Sequence, residues 1–214
     1  MPEAPPTPYL TLDDTANPAL LRAQSALYED DPAGVVAALE PFLRTLRDDL
    51  DEIERAERGT AYFMLSVAHA TARRLDDSLA TAELAASDFP FFPDAHLNRG
   101  WALAELGRTG EALVAYRHAV TLEPEYENAW FNFGMLLVQK GHLGDALAVL
   151  EEGIAANPES SLLGYKRAET LARAGRAGEA AEELRRVYVL DPATRKAAAG
   201  SDVFAAAFPD GLPG

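Results

Sequence analysis

Two asparagines, Asn98 and Asn132, stand 34 residues apart in a chain of 214 residues. An amide side chain can donate to a peptide carbonyl and accept from the next N–H, so two of them on one surface can clamp an extended backbone. Each such bond contributes on the order of 1 kcal/mol net, which holds register but does not give affinity. Apolar contacts must supply the rest, and Phe63, Trp101, Phe131, Met135 and Tyr165 offer rigid or adaptable surface for it. Lys166, Arg167 and Arg173 fall on one predicted helix, where charged donors suit a carboxylate or an acidic side chain. The competing reading of Lys166 is a solvated lysine paired with Glu169 or Thr170.

Other chemistries lack their parts. There is no Gly-rich phosphate loop ending in Lys and Ser or Thr, no nucleophile elbow, and the three lysines, Lys140, Lys166 and Lys196, are scattered. The carboxylates read as helix-surface and cap residues, so no enzyme is expected. The absence of cysteine removes disulfides, thiolate metal sites and thiol nucleophiles together. His69 and His96 fall on packing positions and His118 and His142 on an outer helix or a turn, with no metal-ligand spacing among them. Neither metal nor cofactor is expected. A formal charge of -15, from 34 acidic and 19 basic side chains, repels a phosphate backbone and argues against nucleic acid. The excess is uneven, with 13 acids and 5 bases in residues 1–58. No apolar run is long enough to cross a bilayer, and the opening MPEAPPTPYL lacks a basic segment followed by an apolar core. No membrane partner and a cytoplasmic location are the expectations.

The elements that must carry these residues repeat. Shifting residues 94–124 by 34 lays Gly100 on Gly134, Leu103 on Leu137, Gly107 on Gly141, Ala112 on Ala146 and Pro124 on Pro158. Closing prolines recur at Pro90, Pro124, Pro158 and Pro192. Small residues stand where two helices must cross, at Ser66, Gly100, Gly134 and Ala168 on one helix and Ser78, Ala112, Ala146 and Ala180 on the other. The pattern resembles the tetratricopeptide repeat, a helix-turn-helix unit of 34 residues. The resemblance implies an all-α fold, a right-handed α-solenoid of stacked antiparallel helix pairs. Four repeats are expected over 59–194, after a proline-rich tail (1–16) and a degenerate helical hairpin (17–58) whose second helix runs from Val35 to about Glu57, kinked near Pro41. A capping helix and a loose tail are expected over 195–214, with Val203, Phe204 and Phe208 packing on the last repeat. Phe89, Phe91 and Phe92 are expected to wedge the first two repeats together, with an exposed contact patch as the alternative. Arg99 and Arg167 stand where the family usually has Leu or Ile, and His69 and Arg73 where Leu and Gly are usual.

In such a stack the first helix of each repeat turns a second stripe to the concave face. Those positions carry Phe63, Leu97, Phe131 and Tyr165 in one column, and Asn98, Asn132 and Lys166 in the next. Asn128 precedes them, and Trp101, Met135 and Glu169, then Gln139 and Arg173, follow. Related repeats that grip a C-terminal carboxylate use a five-residue set of Lys, Asn and Arg. Only Asn132 and Lys166 match it, while Leu97, Trp101 and Leu162 stand where polar groups are needed, so that specificity is not expected. The resemblance implies a non-enzymatic interaction scaffold that holds an extended segment of another protein in its groove. The alternative is a self-associating structural protein, a homodimer or a chain whose own terminus fills the groove.

Overall fold

The computed structural model describes residue 12, residues 16–47 and residues 49–213. Apart from Leu12 and Ala16, the tail expected over 1–16 lies outside the described residues. The described residues form helices and no strand, and the chain divides into two compact units, Met1–Leu122 and Glu123–Gly214.

In the first unit, α1 (Pro18–Tyr28) opens under Asn17, whose side chain accepts from the Ala19 N–H, with proline in the first turn as expected. α2 (Pro32–Leu43) opens under Asp31, which accepts from the Gly34 N–H. The expected continuation of this helix to Glu57 does not form. Pro41 removes a backbone donor, the helix ends at Leu43, and a capping box at Asp51 and Glu54 starts α3 (Glu52–Thr71) instead. The first repeat therefore begins its first helix well before Gly59. Leu50 is buried, but Ile53, placed by the sequence on the same apolar stripe, is 71% exposed, and Tyr28 likewise faces out.

α4 (Leu75–Asp88), α5 (Pro93–Glu105) and α6 (Thr109–Leu122) complete this unit, with α3 packed on α4, α4 on α5 and α5 on α6. The small residues sit at the crossings. Ser78 donates to the Ser66 carbonyl, and a Cβ at Gly100 would fall 2.6 Å from the Tyr116 ring. The expected aromatic wedge is partial: Phe92 meets Phe63 and Phe89 edge to face at 5.1 and 5.9 Å, whereas Phe91 points outward.

The second unit repeats the plan in α7 (Glu127–Gln139), α8 (Leu143–Ala156), α9 (Ser161–Arg173) and α10 (Ala177–Leu190). A Cβ at Gly134 would meet Leu150 at 2.9 Å, and Ser160 caps α9 by accepting from the Leu163 N–H. The hairpin turns use Gly107, Gly141 and Gly175 at φ of 77°, 79° and 74°, the left-handed cap that a side chain resists. In the first unit Arg73 takes that conformation at φ 59°. The irregular arginines are accommodated by pairing: Arg99 with Glu83 at 3.5 Å, and Arg167 with the buried Glu183 at 2.7 Å, which Arg186 also holds.

Two short helices, α11 (Thr194–Ala199) and α12 (Asp202–Ala207), follow, and α12 packs against α9. Phe204 is fully buried there, edge to face with Tyr165 at 5.5 Å. Leu212 also packs on this core, so the stretch expected to be loose after Phe208 is partly anchored.

Candidate functional site

The candidate residues divide between the two units, and Phe131 and Asn132 of the second, each 6% exposed, are enclosed nearly as far as those of the first. In the first unit, Phe63, Leu97, Asn98 and Trp101 are all buried, each no more than 3% exposed. Asn98 Nδ2 donates to Ser66 Oγ at 3.0 Å, which commits its donor to the interior. Trp101 is overlaid by the Arg73 guanidinium at 6.0 Å, and Arg73 pairs with Glu105 at 2.8 Å. A side chain enclosed to this degree serves packing first.

In the second unit α7 and α9 pack together and bring the remaining candidates onto adjoining faces. Asn132 Nδ2 donates to the Asn128 carbonyl one turn back at 2.9 Å, while its Oδ1 is buried without a hydrogen-bond partner. A clamp needing both halves of the amide is thus not what this residue offers. Only the acceptor is free, and leaving it unpaired costs on the order of 1–3 kcal/mol. On α9, Lys166 Nζ lies 5.5 Å from the Phe131 ring and 5.7 Å from the Tyr165 ring, a seat in which the cation meets the electron-rich ring faces.

The same ammonium pairs with Glu169 at 3.3 Å, and Glu169 also accepts from Arg173 at 2.8 Å. Burial alone would raise the Glu169 carboxyl, but the hydrogen bond from Arg173 and the charge of Lys166 outweigh it and hold the group below the ordinary carboxylate value. Lys166 is thus paired with Glu169, one of the two partners the sequence offered, although it is partly buried and not fully solvated. Met135 and Leu162 are half-buried, and Gln139 and Arg173 are exposed at the end of the row. The face combines an unpaired acceptor, two rings and a cation–carboxylate–cation row. It can take a donor together with apolar or weakly anionic groups.

The described residues contain no cluster of three or more His, Asp or Glu suited to a metal ion. The His96 and His118 rings meet at 4.1 Å, tilted by 38°, with His96 Nε2 on the Pro90 carbonyl at 2.9 Å. The sequence could not reveal which half of each amide is spent internally, because Ser66 and the Asn128 carbonyl come into range only once the helices are packed.

Antiparallel hairpins repeating every 34 residues, crossed at small residues and ended by a short helical cap, define a helical-repeat protein. Family models of the tetratricopeptide repeat match residues 93–126 and 131–194, and the chain carries tetratricopeptide repeats over these stretches. No curated protein matches it in sequence. Among solved structures it is similar to MamA, at 14% identity and a TM-score of 0.67 over 87% of this chain and 99% of that one. MamA 41-end from Desulfovibrio magneticus RS-1 aligns at 16% identity and 0.67 over 86% and 98%. YrrB, described as a TPR protein with an unusual peptide-binding site, aligns at 22% identity and 0.58 over 81% and 83%. These likenesses concern the fold.

Proposed function

We propose that this protein is a non-enzymatic interaction scaffold whose α7–α9 face binds an extended segment of another protein. The observation that carries the reading is the buried, unpaired Oδ1 of Asn132 on α7, with the ring-seated Lys166 on the α9 helix packed against it. A fold retains an unsatisfied buried acceptor at a cost, and a bound backbone N–H would remove that cost. Met135 and Tyr165, both half-buried, then supply apolar contact, and Arg173 and Gln139 lie where the segment would run on toward solvent. The peptide-binding description of YrrB agrees with this reading without specifying the ligand.

Selection of peptides from a displayed random library against the full chain tests it. Asn132→Ala and Lys166→Ala are each expected to weaken a selected peptide about five- to tenfold, roughly 1–1.4 kcal/mol, with helicity unchanged. Unchanged affinity in a folded double variant would remove the site from this face.

A further inference from the structure

A second surface lies in the first unit, away from the residues used above. The loop between α4 and α5 runs Phe89, Pro90, Phe91, Phe92 and borders a hollow of about 420 Å³ whose walls also include Thr60 and Asp88. Phe91 stands at its edge, 84% exposed, in a loop where Pro90 and Pro93 each have their own φ fixed. The exposed phenyl adjoins an apolar hollow instead of standing alone on a polar surface.

The loop is held firmly from beneath. Phe92 packs on Phe63, Arg58 grips Asp88 through two bonds of 2.8 and 2.7 Å, and Gly59 leaves room for the Phe89 ring, which a Cβ would meet at 2.6 Å. These contacts place the loop against the early turns of α3, the part of that helix that starts before the regular repeat. The stretch leading into the contact is acidic in sequence: Asp49, Asp51, Glu52, Glu54 and Glu57 stand among two bases, Arg55 and Arg58, of which Arg58 is paired with Asp88, while Glu57 accepts from Asn17 Nδ2 at 3.4 Å. Ile53, exposed on the same turns, adds a second apolar side chain.

We infer that this aromatic hollow and its acidic border are a docking site for a short segment of another protein, one carrying an apolar side chain flanked by lysine or arginine. The apolar side chain enters beside Phe91 and supplies most of the affinity, while the carboxylates of α3 select basic flanks and speed encounter. The charge sign decides the class of occupant: an acidic segment would be repelled by the border, and by a chain of formal charge -15.

The probe is a fluorescently labelled peptide with one phenylalanine between two pairs of lysines, compared with the same peptide carrying glutamates. The full chain is expected to bind the lysine peptide and not the glutamate one, more weakly as salt rises. Phe91→Ser should weaken binding about tenfold or more with circular dichroism unchanged, and because it leaves the charge intact it separates docking from general attraction to an acidic protein. Asp49→Asn with Glu52→Gln should reduce the preference for lysine, and Asn132→Ala should change nothing, which keeps this site distinct from the α7–α9 face. Absence of binding, equal binding of the two peptides, or unchanged affinity in Phe91→Ser overturns the inference. So does a dimer in light scattering that Phe91→Ser dissociates, which would assign the patch to a second copy of the chain.

Discussion

Asn132 carries opposite implications for stability and for binding. Its Nδ2 bond to the Asn128 carbonyl lies within one helix, on a carbonyl that also belongs to the helical ladder, whereas its Oδ1 has been taken out of water without a partner. Replacing an amide so placed by an apolar group of similar size removes the desolvation penalty and adds burial. Asn132→Leu is therefore expected to raise the unfolding free energy by about 1 kcal/mol, read as a higher urea midpoint with an unchanged slope. The same variant should lose peptides selected on the α7–α9 face. A residue that is better for stability when replaced, and needed for binding, is placed for function. A lower midpoint would instead make Asn132 an ordinary core amide. Asn98 gives the internal comparison, since its donor is satisfied by Ser66 and its removal leaves a hydroxyl with one fewer partner.

Helices differ in what ends them, and this decided which parts of the fold the sequence could reveal. The last regular pair is finished by α12, whose Phe204 is wholly enclosed against α9 and meets both Tyr165 and Phe208. A repeat end left bare exposes apolar surface, so this short helix substitutes for a missing neighbour. Phe204→Ala is expected to cost about 3–5 kcal/mol, close to the loss of a buried phenylalanine elsewhere, although α12 has only six residues. The check is chemical denaturation of the variant followed by a tryptophan reporter in the same unit, Trp130. A loss below about 1 kcal/mol would mean that the cap is dispensable. Phe204 was legible because the period ends at Pro192 and aromatics follow. The glycine turns were legible for a similar reason, since a recurring Gly at the end of a helix has one common explanation, a left-handed cap. The break between Leu43 and Glu52 was not legible. Val35, Leu39, Leu43, Leu46 and Leu50 continue a helical spacing across it, and the capping box that restarts the chain is local chemistry that this apolar pattern hides. Phe91 was only partly legible: three phenylalanines in four residues read as one wedge or as one exposed patch, and only packing distinguishes the two that turn inward from the one that does not.

At the scale of the whole molecule, the two units hold different kinds of buried titratable group, and acid should act on them in sequence. In the first unit His96 is pushed below its ordinary pKa by burial, with His118 and Arg99 acting in the same sense and the hydrogen bond to the Pro90 carbonyl only partly opposing them. His69 is also lowered by burial and by Arg74, against the weaker pull of Asp77 and Glu40. At both sites the unfolded chain binds the proton more tightly than the folded one. The stability they contribute is therefore complete above about pH 6.5 and is lost as the pH falls from there through the lower folded values. In the second unit a partly buried depressed carboxyl is Glu169, whose contribution is complete above its ordinary value of 4.5 and is lost only below it. Acidification from pH 7.5 to 5.5 should thus reduce amide-exchange protection in α3 to α5 while leaving α7 to α10 near their neutral values. His96→Gln, which keeps a side-chain donor for the Pro90 carbonyl but does not titrate, should flatten the response of the first unit. Equal loss of protection in both units over this range would mean that the acid sensitivity arises from the net charge of the chain and not from these two imidazoles.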